Sequence, residues 1–149
     1  MSDFLLADRA ESALVDVLST AITPTPCYPA KYNLDKSVPI VLVECQVGGE
    51  LVLQTGIYYV EAKVTVKTLS EQQPDSSDDP KTAALALLSL VHNVISASDL
   101  EAQLTASPTE FSVYETSIKR TGGTRSQDEQ GYWIDEINLR FVACAFDLS

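Results

Sequence analysis

Between Ile57 and Thr68 the chain alternates strictly, with Tyr58, Val60, Ala62, Val64 and Val66 on one side and Tyr59, Glu61, Lys63, Thr65 and Lys67 on the other. Side chains of a strand point alternately to its two faces, so this pattern demands a sheet with one face buried and one wet. A second run, Tyr132 to Phe146, repeats the demand: Ile137, Leu139, Phe141, Ala143 and Ala145 face one way, and Glu136, Asn138, Arg140 and Cys144 the other. Half-buried strands of this kind belong to antiparallel sheets, and their apolar face requires a covering layer.

Two helices are predicted to supply that layer. Leu6, Ala10, Ala13, Leu14, Val17, Leu18 and Ala21 lie on one helical stripe, with Asp8, Arg9, Glu11, Asp16 and Ser19 opposite. Asp3 is placed to cap this helix, and Pro24, Pro26 and Pro29 stop it. Asp79-Pro80 then gives an N-cap followed by proline at the first helical position, ahead of a stripe of Ala84, Leu87, Leu88, Val91 and Ile95. Asp99 to Leu104 has the makings of a short extra helical turn.

Val38-Pro39-Ile40-Val41-Leu42-Val43-Glu44-Cys45 reads as a strand apolar on both sides, with Pro39 tolerated only near its start. Gly48-Gly49-Glu50 reads as a turn, after which Leu51-Val52-Leu53 either opens the next strand or belongs to the same hairpin. Phe111 to Ile118 is a further strand, expected to pair with the final one as a hairpin whose tip holds Gly122-Gly123 and the polar run Thr124 to Gly131. Leu69 to Asp79 is a polar, acidic loop. The expected fold is α+β: a mostly antiparallel sheet, an N-terminal helix and a mid-chain helix on one face, and a long C-terminal hairpin. At 149 residues, with 45% hydrophobic residues, positions 1–149 make one domain able to bury its own core.

The formal charge of −11 argues against phosphate-backbone binding, because such affinity comes from cations displacing counterions. No apolar run reaches membrane-span length, and Met1-Ser2-Asp3-Phe4 lacks a basic, then apolar, secretory leader, so a soluble protein made in the cytoplasm is expected. Cys27, Cys45 and Cys144 are widely spaced and there is one histidine, His92, so no zinc site is expected. Cys45 and Cys144 sit in apolar runs and are expected to be buried, whereas Cys27, between Pro26 and Tyr28, is expected to be the exposed one.

Searched for chemistry, the sequence offers little. His92 has no Ser, Cys or carboxylate at a triad-like spacing and is expected to be a helix-surface residue. Asp75, Asp78 and Asp79 lack the turn glycine and distal glutamate of a calcium loop. Gly122-Gly123 beside Arg120 and Arg125 do not lie between a strand and a helix start, where glycines cradle phosphate. No cofactor is expected and the protein is not expected to be an enzyme. Tyr132 with Trp133, and Tyr58 with Tyr59, are the aromatics placed to serve either the core or an interface.

The opening helix closed by a proline-rich stretch, the V-P-I-V-L-V strand, the G-I-Y-Y-V-E-A-K-V-T-V-K strand, the mid-chain helix and the closing hairpin resemble, in order and size, the tail terminator or tail-completion proteins of long-tailed bacteriophages. That resemblance implies a structural virion protein of the tail and neck, assembled in the host cytoplasm. It implies a hexameric ring that caps the tail tube, ends its polymerisation and joins it to the neck connector while DNA passes through unbound. Neck adaptors and minor tail proteins share this layout, and a stand-alone acidic adaptor domain is the alternative from composition. The candidate assembly residues lie in and beside the two polar loops: Glu71, Asp75, Asp78, Asp79, Arg120, Arg125, Asp128, Glu129, Tyr132 and Trp133.

Overall fold

The computed structural model describes residues 3–23, 25–30, 39–50, 58–69, 80–106, 111–113, 119–127 and 132–145. Within these, three helices and six strands follow the order α1 (Asp3–Ile22), β1 (Cys27–Pro29), β2 (Ile40–Glu50), β3 (Tyr58–Leu69), α2 (Pro80–Ile95), α3 (Leu100–Ala106), β4 (Phe111–Val113), β5 (Lys119–Gln127) and β6 (Tyr132–Ala145). The fold is α+β, as the alternating runs require.

β3 lies at the centre. It pairs antiparallel with β2 on one side, Val43 opposite Val64, and with β6 on the other, Val64 opposite Ile137. The far edge of β6 is shared by β4, Ser112 opposite Cys144, and β5, Thr124 opposite Glu136, both antiparallel. β1 adds a short parallel strand outside β2, so the sheet runs β1-β2-β3-β6, then β4 and β5.

The core forms where the apolar side of this sheet meets the helices. Val41, Val43 and Cys45 of β2, Val60, Ala62, Val64 and Val66 of β3, and Ile137, Leu139, Phe141 and Ala143 of β6 are buried against α1 and α2. α1 lies mainly on β2 and also meets β1, α2 and α3; α2 lies on β3. Each fully buried large side chain, such as Leu14 or Phe141, contributes about 1.5–3 kcal/mol from area removed from water. β2 is apolar on both sides, as expected: Ile40 and Leu42 on the other face are buried too.

Several sequence expectations are corrected. Ile22, not Ala21, completes the stripe of α1, Ala21 being exposed. Gly48-Gly49-Glu50 is not a turn: β2 continues through it, with a register shift between Val47 and Gly49. An added residue in one strand needs a backbone that bends without side-chain clash, which a glycine pair supplies. The proline-rich stretch forms β1, possible because Pro29 sits in an outer strand where no N–H is needed. Most consequentially, Gly122-Gly123 and Thr124 to Gln127 are not the tip of a hairpin but the body of β5, paired along its length with β6; positions 128–131 of the expected tip lie outside the described residues. Cys27, expected to be exposed, is buried beneath α1. No helix of the described residues is long and apolar enough to cross a membrane.

Candidate interaction surface

Hairpin register decides what meets near the tip. Because Gln127 stands opposite Trp133, Arg125 stands opposite Asp135. The guanidinium donates from Nε to Asp135 Oδ1 at 2.7 Å and from Nη2 to Oδ2 at 2.9 Å, the two-pronged geometry that gives arginine–carboxylate pairs their directional strength. It also lies over the Trp133 ring, 4.6 Å from its centroid. The Asp135 side chain is 6% exposed and that of Arg125 33%, so the acid belongs to the protein interior and the base to its rim. The hydrogen bond to Asp135 raises the Arg125 pKa further, against a smaller opposing effect of burial. Thr68, opposite Trp133, is buried, and its Oγ1 has no hydrogen-bond partner among the described residues.

Beside this clamp, α2 and β5 enclose a cleft of about 460 Å³, lined on the helix side by Leu88, His92, Ile95 and Ser96 and on the sheet side by Gly122 to Arg125 and Asp135 to Ile137. Two glycines line its sheet side. Gly122 has φ +106°, a left-handed conformation that side chains disfavour, and it sits at the register shift between Arg120 and Gly122. A Cβ on Gly123 would collide with the carbonyl oxygen of Glu136, so the strands approach as closely as a glycine allows.

Past Ile40 and Leu42, which are buried there, the opposite face of the sheet is polar across β2, β3 and β6. Glu44, Gln46, Glu61, Lys63, Asn138 and Arg140 line an open trough of about 400 Å³. Glu44 stands opposite Lys63 and Glu61 opposite Arg140, so the charges alternate across strands. Arg140 stacks on Tyr59 with its guanidinium carbon 3.8 Å from the ring centroid, and Lys67 lies 5.0 Å from that of Tyr132. These contacts hold two cations over aromatic rings.

Of the sequence candidates, Arg125, Tyr132 and Trp133 are brought to one end of the β5–β6 hairpin, but on different faces: Trp133 with Arg125 on the helix side, Tyr132 with Lys67 on the other. Arg120 lies in β5 opposite Leu139, in a strand rather than the loop expected. Glu71, Asp75, Asp78, Asp79, Asp128 and Glu129 lie outside the described residues. Asp135 escaped the sequence reading. A register pairing Gln127 with Trp133 puts Arg125 opposite Asp135, but finding it required β5 to be recognised as a strand. His92 is exposed on α2, as expected, and faces the cleft.

Among the described residues no three His, Cys, Asp or Glu side chains group as metal ligands. The described thiols are held protonated: burial pushes Cys27 up to about 12 against a weaker opposing hydrogen bond with Ser19, and pushes Cys45 well above its usual value, aided by the carboxylates of Glu11 and Glu44. Neither is nucleophilic near neutrality. Compared with protein-family models and with curated proteins, the chain matches none.

Proposed function

We propose that the protein is a structural ring component of a long-tailed bacteriophage, capping the tail tube, ending its growth and joining it to the neck. The observation that carries this reading is the one-sided sheet. Helices cover one face, while the other carries a polar trough of alternating charge across β2, β3 and β6, bordered by a long hairpin with an exposed strand. A protomer built this way has unlike surfaces on its two sides and edges, which heterologous contacts need in order to close a ring. The charge of −11 supports a lumen through which DNA slides without adhering. The candidate assembly residues Arg125, Tyr132 and Trp133 share the end of the hairpin, where a neighbouring copy or the tube end would be met.

Native mass measurement and negative-stain electron microscopy of the purified protein, alone and mixed with tail tubes, test the proposal. A closed ring, or density capping tube ends, is the expected result. A monomer at all concentrations that attaches to neither tubes nor connectors would sink it, whereas a one-to-one, salt-sensitive complex with a basic protein would favour the acidic adaptor instead.

A further inference from the structure

We infer that the wet face of the sheet is a two-fold contact, in which the trough across β2, β3 and β6 of one molecule packs on the same trough of a second copy. The contact is independent of the ring reading: a two-fold axis closes a pair and not a ring, so it joins two protomers, or two rings, face to face.

Strand register sets six side chains of the trough in two rows across the sheet. Glu44, Lys63 and Asn138 stand side by side in the first row, and Gln46, Glu61 and Arg140 in the second. A second copy laid face down, about an axis perpendicular to the strands and running between the rows, places each row over the other. Lys63 then meets Glu61 of the second copy and Glu61 meets its Lys63, while Arg140 meets Asn138 and Glu44 meets Gln46. No charge faces its like, and every ion that does not face its opposite faces an amide able to bond it. An axis along β3 would instead set Lys63 on Lys63 and Glu61 on Glu61, so the charges select one axis of the two. β3 is the central strand, and its two ion pairs lie beside the axis, where the twist of two facing sheets displaces opposed residues least. The patch is bounded by Leu42, already buried, at one end and by Tyr59 at the other.

The charges on this face are unspent. Glu44 stands opposite Lys63 and Glu61 opposite Arg140, yet among the described residues Lys63, Glu61 and Arg140 form no ion pair. Glu44 accepts a bond of 3.4 Å from its neighbour Gln46. Arg140 lies over Tyr59, and its Nε has no hydrogen-bond partner. Gln46 and Glu61 are exposed and the other four half-buried, so all six reach solvent. The patch holds two acids and two bases and is therefore neutral, in a chain whose net charge is −11. Two molecules that repel at a distance meet here without a local excess of negative charge, and a strongly basic or strongly acidic partner gains nothing. An occupant with the same alternation in reverse order fits, and a second copy supplies it.

Sedimentation across a concentration series, with native mass measurement, reads the association of the full chain. The wild-type chain is expected to pair as concentration rises. Lys63→Glu sets acids on acids at the central contacts and Glu61→Lys sets bases on bases, and each should weaken pairing at least about tenfold. An equimolar mixture of the two variants restores opposite charges at both contacts and should recover mixed pairs with close to wild-type affinity. Labelling one variant with heavy nitrogen lets native mass separate mixed pairs from like ones, and a misfolded variant could not recover. The inference is overturned by a wild-type monomer at every concentration, by pairing that either single reversal leaves intact, or by reversals that mixing does not repair. Rings insensitive to these charges overturn it and leave the ring reading standing, whereas charge-dependent pairs without rings support it and sink that reading.

Discussion

Arg125→Met should destabilise the protein more than Asp135→Asn does, although the two changes break the same ion pair. The reason is the asymmetry of exposure, 33% for the arginine side chain and 6% for the aspartate. Removing the arginine strands a carboxylate in the interior with both its bonds, 2.7 and 2.9 Å, gone. Breaking a fully buried pair this way costs about 3–5 kcal/mol, and the water that reaches the vacated rim reduces the figure to about 2–3 kcal/mol. Removing the charge of Asp135 instead leaves a guanidinium that is still stacked on Trp133 and a third exposed, and an amide oxygen that still accepts one bond. That loss is about 1 kcal/mol. Trp133 is the chain's single tryptophan and lies against the altered group, so its emission reports unfolding directly. In urea, with a slope of about 1–3 kcal/mol/M, Arg125→Met should lower the midpoint by roughly 1 M or more, and Asp135→Asn by about half as much. The double replacement Arg125→Met with Asp135→Leu should cost less than Arg125→Met alone, because no buried charge is left over. Equal single losses, or a larger loss for Asp135→Asn, would refute the reasoning.

Gly122→Ala and Gly123→Ala should each cost about 1–3 kcal/mol by urea titration, the first through its φ of +106° in open space and the second through collision with the Glu136 carbonyl. A d-alanine at position 122, introduced by chemical ligation, should be tolerated where L-alanine is not. Glu11→Ala should cost about 1–2 kcal/mol, because Glu11 Oε1 accepts the Cys45 N–H at 3.1 Å, while Glu11→Gln keeps an acceptor and should lose less. Cys27 and Cys45 should resist a thiol reagent near pH 8 in the folded protein and react on denaturation. The same burial fixes a pH dependence. Cys27 has a folded pKa of about 12 against a reference of 9.0, so the unfolded chain loses its proton first. Its contribution is intact below about pH 9 and is lost as pH rises towards 12; Cys27→Ala should flatten that part of the alkaline unfolding curve.

How much of this was legible in the sequence depends on whether burial left a pattern. β3 and the final strand were readable because each is covered on one face and wet on the other, which forces alternation. α2 was readable from Asp79-Pro80 and its stripe, and of that stripe only Leu88 is not fully buried. β1 was illegible because a three-residue strand with a proline has no pattern of its own and exists only through its pairing with β2. Cys27 was misjudged for a related reason: neighbouring prolines signal an exposed turn, but the covering of α1 overrides them. The Arg125–Asp135 clamp joins residues ten apart, and nothing local in either position announces it.

β5 shows why the assembly surface was harder to read than the core. Lys-Arg-Thr-Gly-Gly-Thr-Arg-Ser-Gln has the composition of a loop, and an exposed edge strand has the same composition for a physical reason. Such a strand buries little, so no apolar alternation is selected, and charge and bulging residues are what keep an open edge from pairing at random. Sequence alone therefore cannot distinguish a polar loop from a guarded edge. The distinction comes from β6, whose far side would otherwise carry unpaired backbone groups along Trp133 to Arg140. Once β5 is placed there, the glycines stop being a hinge at a tip. They become the reason two strands approach closely beside a helix, with Arg125 held against Asp135 next to them.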